Sequence, residues 1–216
     1  MSPPIIYSLQ HCPYAMRARM AILLSGQPVM IRAIVLKNKP APMLAASPKG
    51  TVPVLVFDDG RVLEESLDIM LWALQQSDPK NLLYNDDAGA LAQMLALIHR
   101  ADDEFKTQLE QYKQAKRYHE DNKEALRQRC EVFIAEIEQR LSLNPYLFGA
   151  TISLADIAIL PFLRQFARVD RQWYLQSPYP HLQQWLKQQL DSRVFSKAMK
   201  DFPLWLEQRQ AFELTL

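Results

Sequence analysis

Apolar and polar positions follow one rhythm up to about residue 76 and another after it. In the first part short apolar runs are separated by one helical stretch or by turns. "IIYSL" (5–9) is a short β-prone run. "PYAMRARMAILLS" (13–25) reads as a helix, with Pro13 suited to its first turn. "VMIRAIVL" (29–36) is apolar and β-branched, in the manner of a buried strand, and "VPVLVF" (52–57) is another. "DDG" (58–60) predicts a hairpin turn, and "RVLE" starts the returning strand. Ser66 is positioned to cap the helix of "LDIMLWALQQ". The order is β-α-β, a link, then β-β-α. "SDPKNLLYNDD" (77–87) is polar, holds a proline and reads as a linker.

Beyond the linker the periodicity is helical throughout. Residues 88 to about 116 form one long helical run. Residues 121–143 form another, with Leu126, Cys130, Phe133, Ile137 and Leu141 along one stripe. In "SLADIAILPFLRQFARV" Ser153 and Asp156 have capping-box spacing, and Ile152 can staple onto Ile157. Pro161 lies within this helix, where proline is expected to cause a kink. Residues 179–190, 194–200 and 203–212 supply shorter predicted helices. No internal repeat or low-complexity tract is present.

Composition narrows the classes. With 49% hydrophobic and 23% charged residues, the 216-residue chain can bury a core and remain soluble. A net charge of +1 provides no field for nucleic acid or an anionic membrane. No leader pattern opens the chain, and no apolar run approaches a membrane span. Two cysteines make no disulfide framework, so a cytoplasmic protein with reduced thiols is expected. Four scattered histidines without paired spacing give no metal motif, and "HEDNKE" (119–124) reads as a solvated helix start.

Three places carry candidate chemistry. Cys12 stands where a strand hands over to a helix, close to the unpaired N–H groups and positive dipole end of that helix. Such a setting favours the thiolate. A buried cysteine can also be simple packing, but cysteine-proline at this junction favours a working thiol. Cys130, on an apolar helical stripe, reads as inert. Val52-Pro53 opens an apolar strand. Either it is an edge-strand proline, or a cis bond there exposes the Val52 backbone to an extended peptide. Glu65-Ser66 at a helix start is either a cap or a site for a carboxylate and an ammonium.

Together "CPYA", "LKNKP", "KGTVPVL", "EES" and "SLADIAILPF" resemble the glutathione transferase superfamily, and within it the cysteine-type, omega-like members. The resemblance spans essentially the whole chain. It implies a thioredoxin-like β-α-β-α-β-β-α domain at residues 1–78, a linker at 79–87 and an all-helical domain at 88–216. It implies that Cys12 forms a mixed disulfide with glutathione. Val52 and Pro53 would meet the cysteinyl backbone of glutathione, Glu65 and Ser66 its γ-glutamyl end, and Lys39 its glycyl carboxylate. It also implies a homodimer, with glutathione as co-substrate and no metal.

The sequence departs from the CPYC form typical of glutaredoxins, because Ala15 stands where a second cysteine would be. Monothiol chemistry follows: exchange with glutathione mixed disulfides, reduction of dehydroascorbate, or removal of glutathione from S-glutathionyl ketones. Tyr7 offers an alternative as the tyrosine of a conjugating transferase, and Ser8 a weaker serine-type one. A transferase-like module with a binding or regulatory role is a further alternative. An acceptor pocket is expected between the domains, with Ile98, Phe105, Tyr112, Phe162 and Phe166 as its candidate lining.

Overall fold

The computed structural model describes residues 2–216, which form two compact units. The first contains residues up to Lys80 together with Asp191–Leu216, and the second is Asn81–Leu190.

In the first unit β1 (Ile5–Ser8), α1 (Pro13–Ser25), β2 (Met30–Ala33), α2 (Ala41–Ala46), β3 (Val54–Val56), β4 (Val62–Leu63) and α3 (Ser66–Gln76) follow in the predicted order. β1 and β2 are parallel, with Tyr7 beside Arg32, and α1 supplies the crossover that parallel pairing needs. β3 runs antiparallel to β1 with Tyr7 opposite Val54, and β4 closes the predicted hairpin on β3. α1 starts with Pro13 in its first turn and ends at Gly26, whose φ of 69° suits a residue without a Cβ. The helix is buried along nearly its whole length and packs against α3.

The end of the chain departs from the sequence reading. Residues 191–216 were expected to belong to the helical domain, with a helix over 203–212. Instead α10 (Arg193–Ala198) packs on α1, and α11 (Trp205–Gln208) is a single turn ended by Arg209 at φ 54°. β5 (Phe212–Glu213) then pairs antiparallel with β2. The sheet order is therefore β4-β3-β1-β2-β5. Leu214 N donates to Val29 O at 2.9 Å, extending this edge.

The second unit is helical: α4 (Ala90–Arg100), α5 (Lys106–Tyr118), α6 (Lys123–Leu143), α7 (Leu154–Val169), α8 (Arg171–Gln176) and α9 (Pro180–Leu190). A π-helical turn over Ala101–Phe105 joins α4 to α5, where the sequence predicted one uninterrupted helix. On α6 Cys130, Phe133, Ile137 and Leu141 are buried as the stripe predicts, while Leu126 is half-buried. α7 continues through Pro161. Its start is closed by the predicted capping box. Ser153 Oγ accepts from Asp156 N at 3.4 Å, and Asp156 Oδ2 accepts from Ser153 N at 2.9 Å. The same carboxylate accepts from Leu147 N and Trp185 Nε1, both at 3.1 Å, and so ties α9 and the preceding loop to α7. No helix among the described residues is long and apolar enough to cross a membrane.

Candidate active site

Cys12 occupies the N-cap position of α1 in extended backbone. Its carbonyl receives the first helical bond, from Met16 N at 2.8 Å, and its own N–H donates to Leu9 O at 3.2 Å. No side chain caps this helix start. The thiol is half-buried and donates to Val52 O at 3.6 Å. It packs against a cluster of Tyr7, Ile34, Met43, Val52 and Val54. The Val52-Pro53 bond is cis, which resolves the sequence alternative at that strand. The cysteine at the first helix start and the valine before the cis proline are thus in contact.

Tyr7 and Ser8, the other candidate nucleophile or activator positions, are both buried, and each hydroxyl accepts from an arginine. Tyr7 OH accepts from Arg32 Nη1 at 2.7 Å. The Arg32 guanidinium also lies over the Trp205 ring, 4.5 Å from its centroid. Ser8 Oγ accepts from Arg19 Nη1.

At the start of α3 the expected cap is not made. Glu65 holds the N-cap position without a side-chain cap bond, and Ser66 is the first helical residue. Ser66 is buried and its Oγ accepts from Arg17 Nε at 2.9 Å. A hydroxyl that accepts from a guanidinium keeps its own O–H to donate. The Glu65 side chain is 61% exposed and ion-pairs with Lys49. That hydrogen bond holds the Lys49 ammonium above its ordinary value. In this exposed setting the pair adds little stability. Neighbouring Glu64 accepts a hydrogen bond from Ser47 Oγ. Lys39 lies over Gly50: a Cβ built there would meet its Nζ at 3.3 Å, and Gly50 has a φ of 66°. The left-handed φ favours glycine at this position, whereas the Lys39 ammonium ends a flexible side chain that could give way.

Three arginines are absent from the sequence-based site, yet they hold its residues: Arg17 on Ser66, Arg19 on Ser8 and Arg32 on Tyr7. The signal was available in α1, where two arginines stand in an otherwise almost wholly uncharged, apolar helix.

The five candidate pocket residues are core. Ile98, Phe105, Tyr112, Phe162 and Phe166 are all buried in the helical unit. Phe105 stacks on Phe133 with centroids 4.7 Å apart, and Phe166 meets Phe105 and Tyr112 at 6.1 Å. Side chains this closely packed present no free wall to a ligand. Cys130 is fully buried, and burial pushes its thiol up to about 12, with Glu131 adding to the effect. It is a protonated, inert thiol at neutral pH. Two cavities, of about 280 and 240 Å³, open on the helical unit; neither is lined by Cys12 or by a predicted glutathione contact. Among the described residues no group of metal-ligating side chains is assembled.

The chain matches the family model of the glutathione S-transferase N-terminal domain over residues 6–81 and that of the C-terminal domain over residues 88–188. It is 27% identical over 190 residues to glutaredoxin 2 of Escherichia coli (strain K12), covering 76% of this chain and 85% of that protein. Over 82 residues it is 37% identical to glutathione S-transferase omega-1 of Rattus norvegicus, covering 38% of this chain and 34% of that one. Among solved structures it resembles a glutathione transferase family member from Pseudomonas fluorescens with two glutathione molecules bound. The TM-score is 0.78 at 17% identity, covering 91% of this chain and 92% of that one, a likeness of fold.

Proposed function

Since the chain belongs to the glutathione S-transferase superfamily, with the models of both domains matched in order, we propose that it is a cysteine-type thiol transferase whose Cys12 carries the glutathionyl group. The observation that carries this reading is the contrast among three neighbouring side chains. Tyr7 and Ser8 are buried within the sheet, while Cys12 stands half-buried at the start of α1, where no side chain caps the helix, and its sulfur touches the Val52 backbone. Similarity to glutaredoxin 2 and to an omega-class transferase supports the same choice.

The chemistry is two successive thiol–disulfide exchanges. The Cys12 thiolate attacks the glutathione sulfur of a disulfide GS–SR. The S–S bond breaks, RS⁻ leaves and takes a proton, and Cys12 becomes disulfide-bonded to glutathione. A second glutathione thiolate attacks that sulfur, releasing glutathione disulfide and restoring the Cys12 thiolate. The external thiol performs the second step because Ala15 stands where a resolving cysteine would be. The backbone of Val52 would bind the cysteinyl part of glutathione and Lys39 its glycyl carboxylate. Ser66, its hydroxyl already accepting from Arg17, would donate to the γ-glutamyl carboxylate, and Glu65 would take the ammonium. The same thiol would serve dehydroascorbate reduction and deglutathionylation of S-glutathionyl ketones, in a protein that we expect to be a homodimer.

Turnover of a glutathione mixed disulfide with excess glutathione tests the reading. Cys12→Ser should lower kcat/KM by about a thousandfold or more, as loss of a nucleophile does. Tyr7→Phe should leave it within about threefold. Loss of turnover in Tyr7→Phe, with Cys12→Ser still active, would favour the conjugating, tyrosine-type alternative.

A further inference from the structure

Arg17 and Arg19 stand two residues apart on α1 and therefore point in different directions. Arg17 reaches Ser66 at the start of α3. Arg19 reaches two other stretches of chain. Its Nη1 donates to Ser8 Oγ and, at 3.1 Å, to Leu9 O; its Nη2 donates to Gln10 O at 2.6 Å. Its Nε donates to Ala198 O at 2.7 Å, at the end of α10. It is 1% exposed and is the largest fully buried side chain among the described residues.

A buried cation is costly unless its donors are satisfied. Arg19 has no carboxylate partner among the described ion pairs, and its planar fork is satisfied by three carbonyls and one hydroxyl instead. A neutral side chain could fill the same volume without the desolvation. What the guanidinium adds is a fixed, multi-point link between the residues just before Cys12 and the C-terminal segment. A second side chain repeats that link: Gln10 Nε2 donates to Met199 O at 3.1 Å. Burial draws the Arg19 guanidinium down to about 10, so Arg19 stays cationic at neutral pH.

We propose that Arg19 is a positioning residue for Cys12. Its buried guanidinium joins loop 8–10 to the end of α10, so that the reactivity of the thiol depends on how the C-terminal segment 191–216 is seated. The inference rests on Cys12 being the working thiol, but its test reads the thiol directly and uses no glutathione.

The experiment is the rate of Cys12 alkylation by iodoacetamide at pH 7 in the full chain, followed by mass spectrometry. It compares the parent, Arg19→Met, Arg19→Lys, Phe195→Ala in α10, and the Arg19→Met/Phe195→Ala pair. Arg19→Met should slow alkylation about tenfold, through loss of the fixed loop that orients the thiol. Arg19→Lys, which keeps the charge but not the fork, should slow it nearly as much as Arg19→Met, because the link is what is lost. Phe195→Ala should slow the parent several-fold, yet add nothing in the Arg19→Met background, because the link it acts through is already gone. Hydrogen exchange at the Cys12 and Met199 amides should accelerate together in Arg19→Met. If that variant does not fold, faster exchange at both amides in Arg19→Lys decides in favour, and unchanged exchange against. A side chain that merely fills the core would lower the unfolding midpoint while the two substitutions acted independently on alkylation. Independent effects, or an alkylation rate in folded Arg19→Met within twofold of the parent, would overturn the proposal. Failure of the thiol-transferase reading would appear instead as normal alkylation without glutathione exchange.

Discussion

Two helix starts show how the same local geometry is used in opposite ways. α1 and α7 both begin after a small side chain in extended backbone, Cys12 in one and Ser153 in the other. At α7 the end is sealed: Ser153 and Asp156 cap each other, both are buried, and the carboxylate also holds Leu147 and Trp185. At α1 no side chain caps the helix, the thiol is half-buried, and the carbonyls of Leu9 and Gln10 just before it are held by Arg19. Helix ends carry unsatisfied N–H groups and a positive dipole end in either case. Where the protein closes that end with its own carboxylate, it gains stability. Where no side chain caps the end, beside the Cys12 sulfur, the thiol-transferase reading proposed above would place the incoming glutathione.

The sealed end is the place to break the comparison first. Asp156→Ala would leave four buried donors without an acceptor, on the Ser153 N–H and hydroxyl, Leu147 and Trp185. Each unsatisfied buried donor costs about 1–3 kcal/mol. Urea unfolding should show a loss of at least about 3 kcal/mol, whereas Cys12→Ser at the open end should change stability by less than about 1 kcal/mol. Comparable losses at both sites would remove the distinction.

The protonation of Asp156 sharpens it. Burial raises the carboxyl to about 6, against the lowering effect of its four hydrogen bonds. A carboxyl that holds its proton more tightly in the folded state stabilises most below its unfolded value near pH 4. It loses that contribution as pH rises through about 6. The stability margin of the parent over Asp156→Asn should therefore shrink by about 2–3 kcal/mol between pH 4 and pH 7. A margin that grows with pH would mean that the four donors outweigh burial.

At the open face, Ser66→Ala should weaken glutathione binding by about 1.5–3 kcal/mol, or ten- to a hundredfold, if the hydroxyl donates to a carboxylate. The substitution also leaves Arg17 without its serine partner. Glu65→Ala should have a smaller effect, because that carboxylate is exposed and already paired with Lys49. Titration calorimetry measures both. Unchanged affinity in folded Ser66→Ala would reduce the residue to a structural partner of Arg17.

What the sequence made legible was mostly local. The order of strands and helices through residue 76 followed from apolar runs and turn residues, except for α2, which that reading left as a link and only the family resemblance implied; the capping box of α7 followed from a four-residue spacing. Pro53 at the head of a strand admitted a cis bond, and the structure has one. Long-range pairing left no such trace. β5 has two residues, too few to show a period, and residues 191–216 join the first unit through contacts with β1, β2, α1 and the loop before Cys12, all distant in sequence. The π-helical turn at 101–105 is hidden because the apolar spacing remains helical through it. Arg17, Arg19 and Arg32 were missed because charged residues are ordinarily exposed, and their acceptors lie on other elements. The reverse error placed five apolar side chains in a pocket: type and spacing do not distinguish a core wall from a cavity wall, and burial does.

The central claim is that the thiol at the open helix end is the group that takes up glutathione. The most direct measurement is intact-protein and peptide mass spectrometry after incubation with glutathione disulfide. Attack by Cys12 on the disulfide should release one glutathione thiolate and add one glutathionyl group to the protein. The adduct should map to the peptide containing Cys12, persist in Cys130→Ser, be absent from Cys12→Ser, and be removed by added glutathione. An unmodified parent, or an adduct that survives in Cys12→Ser and maps to Cys130, would contradict the account.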